Sequence, residues 1–254
     1  MIFDPFGDFV TADYLRNSLG LKYLDEVKES EHLVFESSIE DALEFLAIEK
    51  TITYSSVLKV HEILFSDFYP WAGKDRNELV PHLAVFKGSV NNPRHTIFEQ
   101  PAFIQRATEY ALKLASNYKY FKTKPGEVMG LLAFAHPFLD GNGRTILLIF
   151  MELSFRAGFA INWAGTNKDN YLLALSEEIN IPQKGHLDRY LNAYIVEISS
   201  RDDWPDMLSG IKGLDGLDKG EVSYQSLDDP EVQQIYKSGN IYHSYSTWHE
   251  PEQD

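Results

Sequence analysis

The chain has 254 residues, 44% of them hydrophobic, a formal net charge of −15 and no cysteine. That is length enough for one large domain with a core to match, and it excludes disulfides, thiol catalysis and cysteine-type zinc sites. The acidic balance speaks against nucleic acid and anionic membrane surfaces as partners, and no apolar run approaches the ~20 residues of a membrane span.

Met1 to Asp8 places no basic region ahead of an apolar one, so no signal peptide is expected. Cytoplasmic residence is the default, with export by a signal-peptide-independent system as the other route. The charge is uneven: from Asp202 to Asp254 twelve Asp/Glu stand against three Lys/Arg, which is −9 of the −15. Three zones are expected: a helical lead over 1–50, a core domain over 51–200 and an acidic C-terminal extension over 201–254.

In chain order, Thr11 to Leu15 reads as an N-cap and the start of an amphipathic helix, whose stripe Leu15, Leu19, Leu24, Val27 is interrupted by Gly20. Ser37-Ser38-Ile39-Glu40 has the form of a capping box, with Ser37 as N-cap and Glu40 at the third helical position. A short helix burying Ala42, Leu43 and Leu46 would follow. Another starts near Ser55, with Val57, Leu58, His61, Leu64 and Phe65 at helical spacing. His61 on that stripe reads as a hydrogen-bonded core histidine. The aromatics around Pro70 and Gly73 form a corner that closes the helix, with Trp71 structural.

Residues 79–98 are the one convincing strand region, rich in Val, Leu, Phe and Ile and punctuated by Lys87-Gly88 and Asn91-Asn92-Pro93, so a small hairpin is expected. Helices resume over Gln100–Asn117, from Pro125 to Ala135, from Thr145 to Phe155, over Tyr171–Glu178 and over Leu187–Ser199. The helix after Thr145 is apolar around most of its girth and therefore central. The glycines from Ser209 to Gly216 preclude a helix. Tyr236, Tyr242, Tyr245 and Trp248 mark a segment that packs on the body or on a partner. The expected fold is all-α, a mainly helical bundle, with one small β-hairpin.

Between the two apolar helices lies His136-Pro137-Phe138-Leu139-Asp140-Gly141-Asn142-Gly143-Arg144. Pro137 disfavours the α region at His136, so the first helix stops there. Gly141 and Gly143 let the backbone approach a ligand where the second helix starts. The free N–H groups of that start, with Arg144 in its first turn, form an anion site. A cation is disfavoured there by the helix dipole, so an external anion would account for it. His136 offers a base near neutral pH, and Asp140 an oxygen ligand suited to Mg²⁺. Together they point to phosphoryl or nucleotidyl transfer.

His-Pro-Phe-x-Asp-Gly-Asn-Gly-Arg resembles the signature of Fic domains, which mostly transfer AMP from ATP to a protein hydroxyl. Tyr69-Pro70-Trp71-Ala72-Gly73-x-x-Arg76 resembles the same family at its first-helix exit. The resemblance implies the Fic fold, with the 79–98 hairpin as a flap that pairs with an extended stretch of a target protein. It implies His136 as the base that takes the proton of the incoming Tyr, Thr or Ser hydroxyl. Asp140 would hold Mg²⁺. The Gly141, Asn142 and Gly143 amides would bind the α-phosphate region and Arg144 the β/γ end of ATP, with a donor from the Asn142 side chain as well. Phe138 would anchor the loop. A homodimer or an antitoxin-like regulator is the further partner class implied.

The family usually ends its signature with a second Arg, where this chain has Leu147. One missing charged contact, ~1.5–3 kcal/mol, weakens donor binding about tenfold to 150-fold. Substitution by another cation, a different donor (UMP, phosphate or phosphocholine transfer) and slow or reversed AMP transfer stand as alternatives. The family's restraining helix carries a Glu in a Ser/Thr-x-x-x-Glu-Gly/Asn pattern. Glu40 is the nearest counterpart, flanked by Glu36 and Asp41 where the pattern differs, and stands as the regulatory candidate beside its reading as a capping residue.

Overall fold

The computed structural model describes residues 16–88, 95–211, 214 and 222–238. The expected start at Thr11, the Asn91-Asn92-Pro93 turn, and Tyr242, Tyr245 and Trp248 lie outside the described residues.

The first helix, α1 (Leu24–Ile48), runs without a break, and this corrects the expectation of a helix opening at Ser37. Ser37 sits mid-helix and its hydroxyl donates to the Val34 carbonyl at 2.9 Å, so no capping box forms there. No Gly or Pro interrupts the segment, and Val27, Glu31, Phe35, Ile39, Ala42 and Leu46 recur at helical spacing as its buried face. α2 (Tyr54–Phe65) begins close to the expected place, with the capping box supplied by Thr53 and Ser56. After the aromatic corner, where Trp71 is wholly buried, comes the single turn α3 (Arg76–Leu79).

β1 (Leu83–Lys87) and β2 (Thr96–Ile97) form the expected hairpin arms, antiparallel with Phe86 opposite Ile97. α4 (Ile104–Ser116) and α5 (Tyr118–Thr123) lead to α6 (Pro125–Ala135), which opens on its proline as expected, and to α7 (Asn142–Arg156). Every α7 residue from Arg144 to Ser154 is buried, so this helix is central. β3 (Ala160–Ile161), α8 (Lys168–Asn180), α9 (His186–Asn192) and β4 (Ile195–Val196) close the bundle. The helix expected to reach Ser199 stops at Asn192 because β-branched Ile195 and Val196 pair with β3 instead.

α10 (Trp204–Ser209) ends before Gly210. The chain then returns as β5 (Val222–Ser226) and α11 (Pro230–Ser238). β5 pairs antiparallel with the whole of β1, giving the strand order β2-β1-β5. Strands are therefore not confined to 79–98, and this part of the tail lies over the body. One hydrophobic core runs from Val27 to Leu208, while Ala84, Phe86, Ile97, Val232 and Tyr236 form a second under the sheet. The architecture is the mainly helical bundle with a small antiparallel sheet that the sequence predicts. Among the described residues no helix is long and apolar enough to cross a membrane.

Candidate active site

The loop between α6 and α7 is fixed from both sides. His136 caps α6 in the left-handed region, φ 42° and ψ 61°. That is a strained place for a non-glycine residue, and it persists only when the surroundings enforce it. Arg76 does so. Its guanidinium is buried and donates to the carbonyls of His136 at 2.7 Å and Glu99 at 2.8 Å, and the Arg76 main-chain N–H donates to the Pro137 carbonyl at 2.7 Å. The imidazole of His136 stacks on Phe98, with centroids 3.8 Å apart. Burial, then the nearby Arg76 and Lys87 cations, push its pKa well below the ordinary histidine value, so it is neutral and can accept a proton.

Phe138 is fully buried and anchors the loop, as expected, by stacking on His61 at 3.7 Å. His61 is the buried core histidine predicted, and it also holds the loop. Its Nδ1 accepts from the Gly73 N–H at 2.9 Å, which leaves the proton on Nε2 to donate to the Asp140 carbonyl at 3.1 Å. Burial lowers its pKa to about 3 and keeps that tautomer neutral.

At the second helix start the predicted nucleotide-binding residues divide by role. The Asn142 side chain is spent on the loop: Oδ1 accepts from the Phe138 N–H at 2.9 Å and Nδ2 donates to the Phe138 carbonyl at 2.7 Å. Nδ2 also lies 3.3 Å from His136 Nε2. One Nδ2 hydrogen is thus committed to the loop. Gly141 caps α7 at φ 75°, and a Cβ on it would lie 2.6 Å from the Phe65 ring, so no side chain fits. Its N–H donates to Asp140 Oδ1 at 2.7 Å. Gly143 differs, because a Cβ there would meet nothing within 4 Å. A side chain at Gly143 would thus meet open space, and the first-turn N–H groups beside it have no intrahelical acceptor.

Arg144 is 6% exposed and lies over the faces of Phe35 and Phe65. Its anion is internal: Nη2 is 2.7 Å from Glu31 Oε1, and Glu31 is completely buried. Lys28, one turn earlier on α1, ion-pairs with the Asp140 carboxylate and with Glu31 at 3.1 Å. The charges alternate as Asp140, Lys28, Glu31, Arg144. Burial alone would raise the Asp140 pKa, but Lys28 and Arg144 outweigh it and hold the carboxyl at about 2. Desolvation of Lys28 and Arg144 is likewise outweighed by the carboxylates, so both are raised. Arg144 Nη1 is buried with no hydrogen-bond acceptor among the described residues.

Glu40, the regulatory candidate from the sequence, is exposed and sits nine residues beyond Glu31, about 13 Å further along the helix. It lines a separate groove of about 530 Å³ together with Glu36 and Leu208. The α1 carboxylate at the loop is Glu31, which the capping-box signal at Ser37 obscured. Lys28 and Glu31 carried no sequence signal beyond an i, i+3 opposite-charge pair. Arg76 lay inside the Tyr-Pro-Trp-Ala-Gly-x-x-Arg motif without an assigned role. Leu147, at the second-arginine position of the sequence, is buried in the core.

The Fic/DOC family model matches residues 51–153. The protein adenylyltransferase VbhT of Bartonella schoenbuchensis is 30% identical over 163 residues, which is 63% of this chain and 32% of VbhT. The chain thus spans about a third of that relative. A protein of Sinorhizobium fredii with an adenylyltransferase name, y4lH, is 26% identical over 170 residues, 63% of this chain and 81% of y4lH. Among solved structures, BepC of Bartonella tribocorum with bound AMPPNP aligns with a TM-score of 0.61 at 18% identity, over 75% of this chain and 96% of that one. The N-terminal Fic domain of an effector from Bartonella sp. AR 15-3 aligns at 0.58 and 16% identity, over 77% and 92%. At these identities the likeness is one of fold.

Proposed function

We propose, on the premise that residues 51–153 are a domain of the Fic/DOC family, that this protein is a transferase moving AMP from ATP onto a Tyr, Thr or Ser hydroxyl of a target protein. The observation that carries the reading is the pairing of a neutral, strained His136 with the start of α7, which no side chain caps and where Gly143 borders open space. His136 takes the hydroxyl proton as the oxygen attacks the α-phosphorus. The first-turn amides around Gly143 meet the phosphate there. Arg144, with one nitrogen unsatisfied, binds the β/γ end once Glu31 gives way.

The residues present fit a nucleotide-borne Mg²⁺. Among the described residues no group of three His, Cys, Asp or Glu could hold a metal. Asp140, a third exposed at its side chain, offers one hard oxygen, and Mg²⁺ commonly takes one or two carboxylates plus phosphate oxygens and waters. When bound, the ion would offset charge on the phosphates. Asp140 is free for it only after the Lys28 ammonium leaves.

With Glu31 and Lys28 in place, the site is restrained by α1, and nucleotide competes with a carboxylate for Arg144. Buried Leu147 supplies no second cation, which favours a donor that asks less of the γ-phosphate end. Incubating the chain with a protein lysate and labelled ATP, UTP or CDP-choline tests both points. Label on protein from ATP, lost in His136→Ala, is the expected result. Label from another donor changes the transferred group, and free product with no labelled protein overturns the transferase.

A further inference from the structure

A target segment is expected to pair with the 79–98 flap, whose strand β1 has one edge on β2 and the other turned outward. In this chain that edge is taken by β5, which pairs with β1 along its full length, from Leu83 opposite Ser226 to Lys87 opposite Val222. The pairing is anchored beyond its Leu83–Ser226 end. The Leu227 N–H donates to the His82 carbonyl at 2.9 Å. α11 packs Val232 and Tyr236 against Ala84, Phe86 and Ile97, and the Tyr236 hydroxyl donates to the Phe98 carbonyl at 2.8 Å.

Strand alternation then selects one β5 side chain for the site. Tyr224 stands opposite Val85, on the face of the sheet turned to the main core, while its neighbours Ser223 and Gln225 point the other way. The Tyr224 hydroxyl donates to the Leu139 carbonyl at 3.1 Å. Leu139 lies inside the 136–144 loop, three residues after His136 and one before Asp140. A phenol is thus carried on an extended strand, main-chain paired to the flap and delivered to the catalytic loop.

We infer that Tyr224 is a self-modification site, the hydroxyl that this chain presents in cis to its own transfer reaction. The inference rests on the transferase reading above. In the step, a bond forms between Tyr224 Oη and the α-phosphorus of a nucleoside triphosphate. The bond from that phosphorus to the bridging oxygen breaks, pyrophosphate leaves with the electron pair, and the phenolic proton passes to the His136 imidazole. Main-chain pairing does not read side chains, so the flap does not discriminate against its own tail. Because β5 belongs to the same chain, its presentation is intramolecular, with an effective concentration on the order of millimolar.

The test is peptide mass spectrometry on the full chain after incubation with Mg²⁺ and ATP, run beside Glu31→Ala so that restraint by α1 cannot hide the reaction. A mass increment of one AMP on Tyr224, growing at a rate per molecule that does not change with protein concentration, is the expected result. Tyr224→Phe loses the increment at that peptide, and thermal unfolding checks that this variant is folded. The wild-type measurement stands whatever that variant does. Mixing wild type with a tagged His136→Ala chain should leave the tagged chain unmodified, and an increment on its Tyr224 overturns the cis placement. Label on lysate proteins with none at Tyr224 overturns this inference and leaves the proposed transfer standing, whereas label on neither overturns both.

Discussion

Replacing Glu31 by Ala isolates the restraint that α1 places on the site. In the wild type, Glu31 is completely buried, 2.7 Å from Arg144 and 3.1 Å from Lys28. Removing one partner of a buried ion pair leaves the other charge uncompensated, a cost of about 3–5 kcal/mol. The nucleotide-free variant should therefore unfold at lower denaturant. The same change frees Arg144 for a phosphate, and one charged hydrogen bond of ~1.5–3 kcal/mol tightens nucleotide binding by about tenfold to 150-fold. The two effects have opposite signs and a shared cause, so ligand should restore much of the lost stability. Calorimetric titration with Mg-AMPPNP, and urea unfolding with and without it, read both quantities. Glu40→Gly serves as the control and should leave affinity unchanged, because Glu40 is exposed about 13 Å along the helix from Glu31. If Glu31→Ala binds AMPPNP no more tightly than wild type, or if Glu40→Gly matches it, the assignment of the restraint to Glu31 is wrong.

The two loop glycines should respond oppositely to alanine. Gly141→Ala forces a side chain into φ 75° and against Phe65, and should cost at least about 2 kcal/mol of stability, whereas Gly143→Ala lies in a helix facing open space, should gain about 0.5 kcal/mol, and should still weaken AMPPNP binding. An unchanged affinity in Gly143→Ala would show that the phosphates lie elsewhere. His61 binds no proton in the folded protein until its pKa of about 3 is approached, against 6.5 unfolded, so the stability tied to its neutral form is full above pH 6.5 and declines as pH falls towards 3. Between pH 6.5 and 4.5 that linkage amounts to about 2 kcal/mol, and urea unfolding of His61→Gln should show a correspondingly shallower acid dependence.

Much of the bundle was legible because its signals are local. Pro125 at a helix start, the strand formers of 83–87 and the continuous apolar run of α7 each declare their structure within one window. The nine-residue loop was legible for the same reason, since its histidine, aspartate, glycines and arginine are contiguous in the chain. Local signals also misled. Ser37 to Glu40 has the chemistry of a helix start, but a helix already running from Leu24 overrides it through the packing of Phe35 and Ile39.

What the sequence determined by itself is the 136–144 loop, its two flanking helices and the chemistry they can support, because each of these depends on neighbours a few residues apart. What only the tertiary structure decided is who occupies the site. Glu31 reaches Arg144 across 113 positions and Tyr224 reaches Leu139 across 85. Neither α1 nor β5 carries a pattern that names its partner. A buried carboxylate goes where a buried cation needs it, and an unpaired strand edge takes whichever extended segment can reach it; both are settled only when the chain has closed on itself.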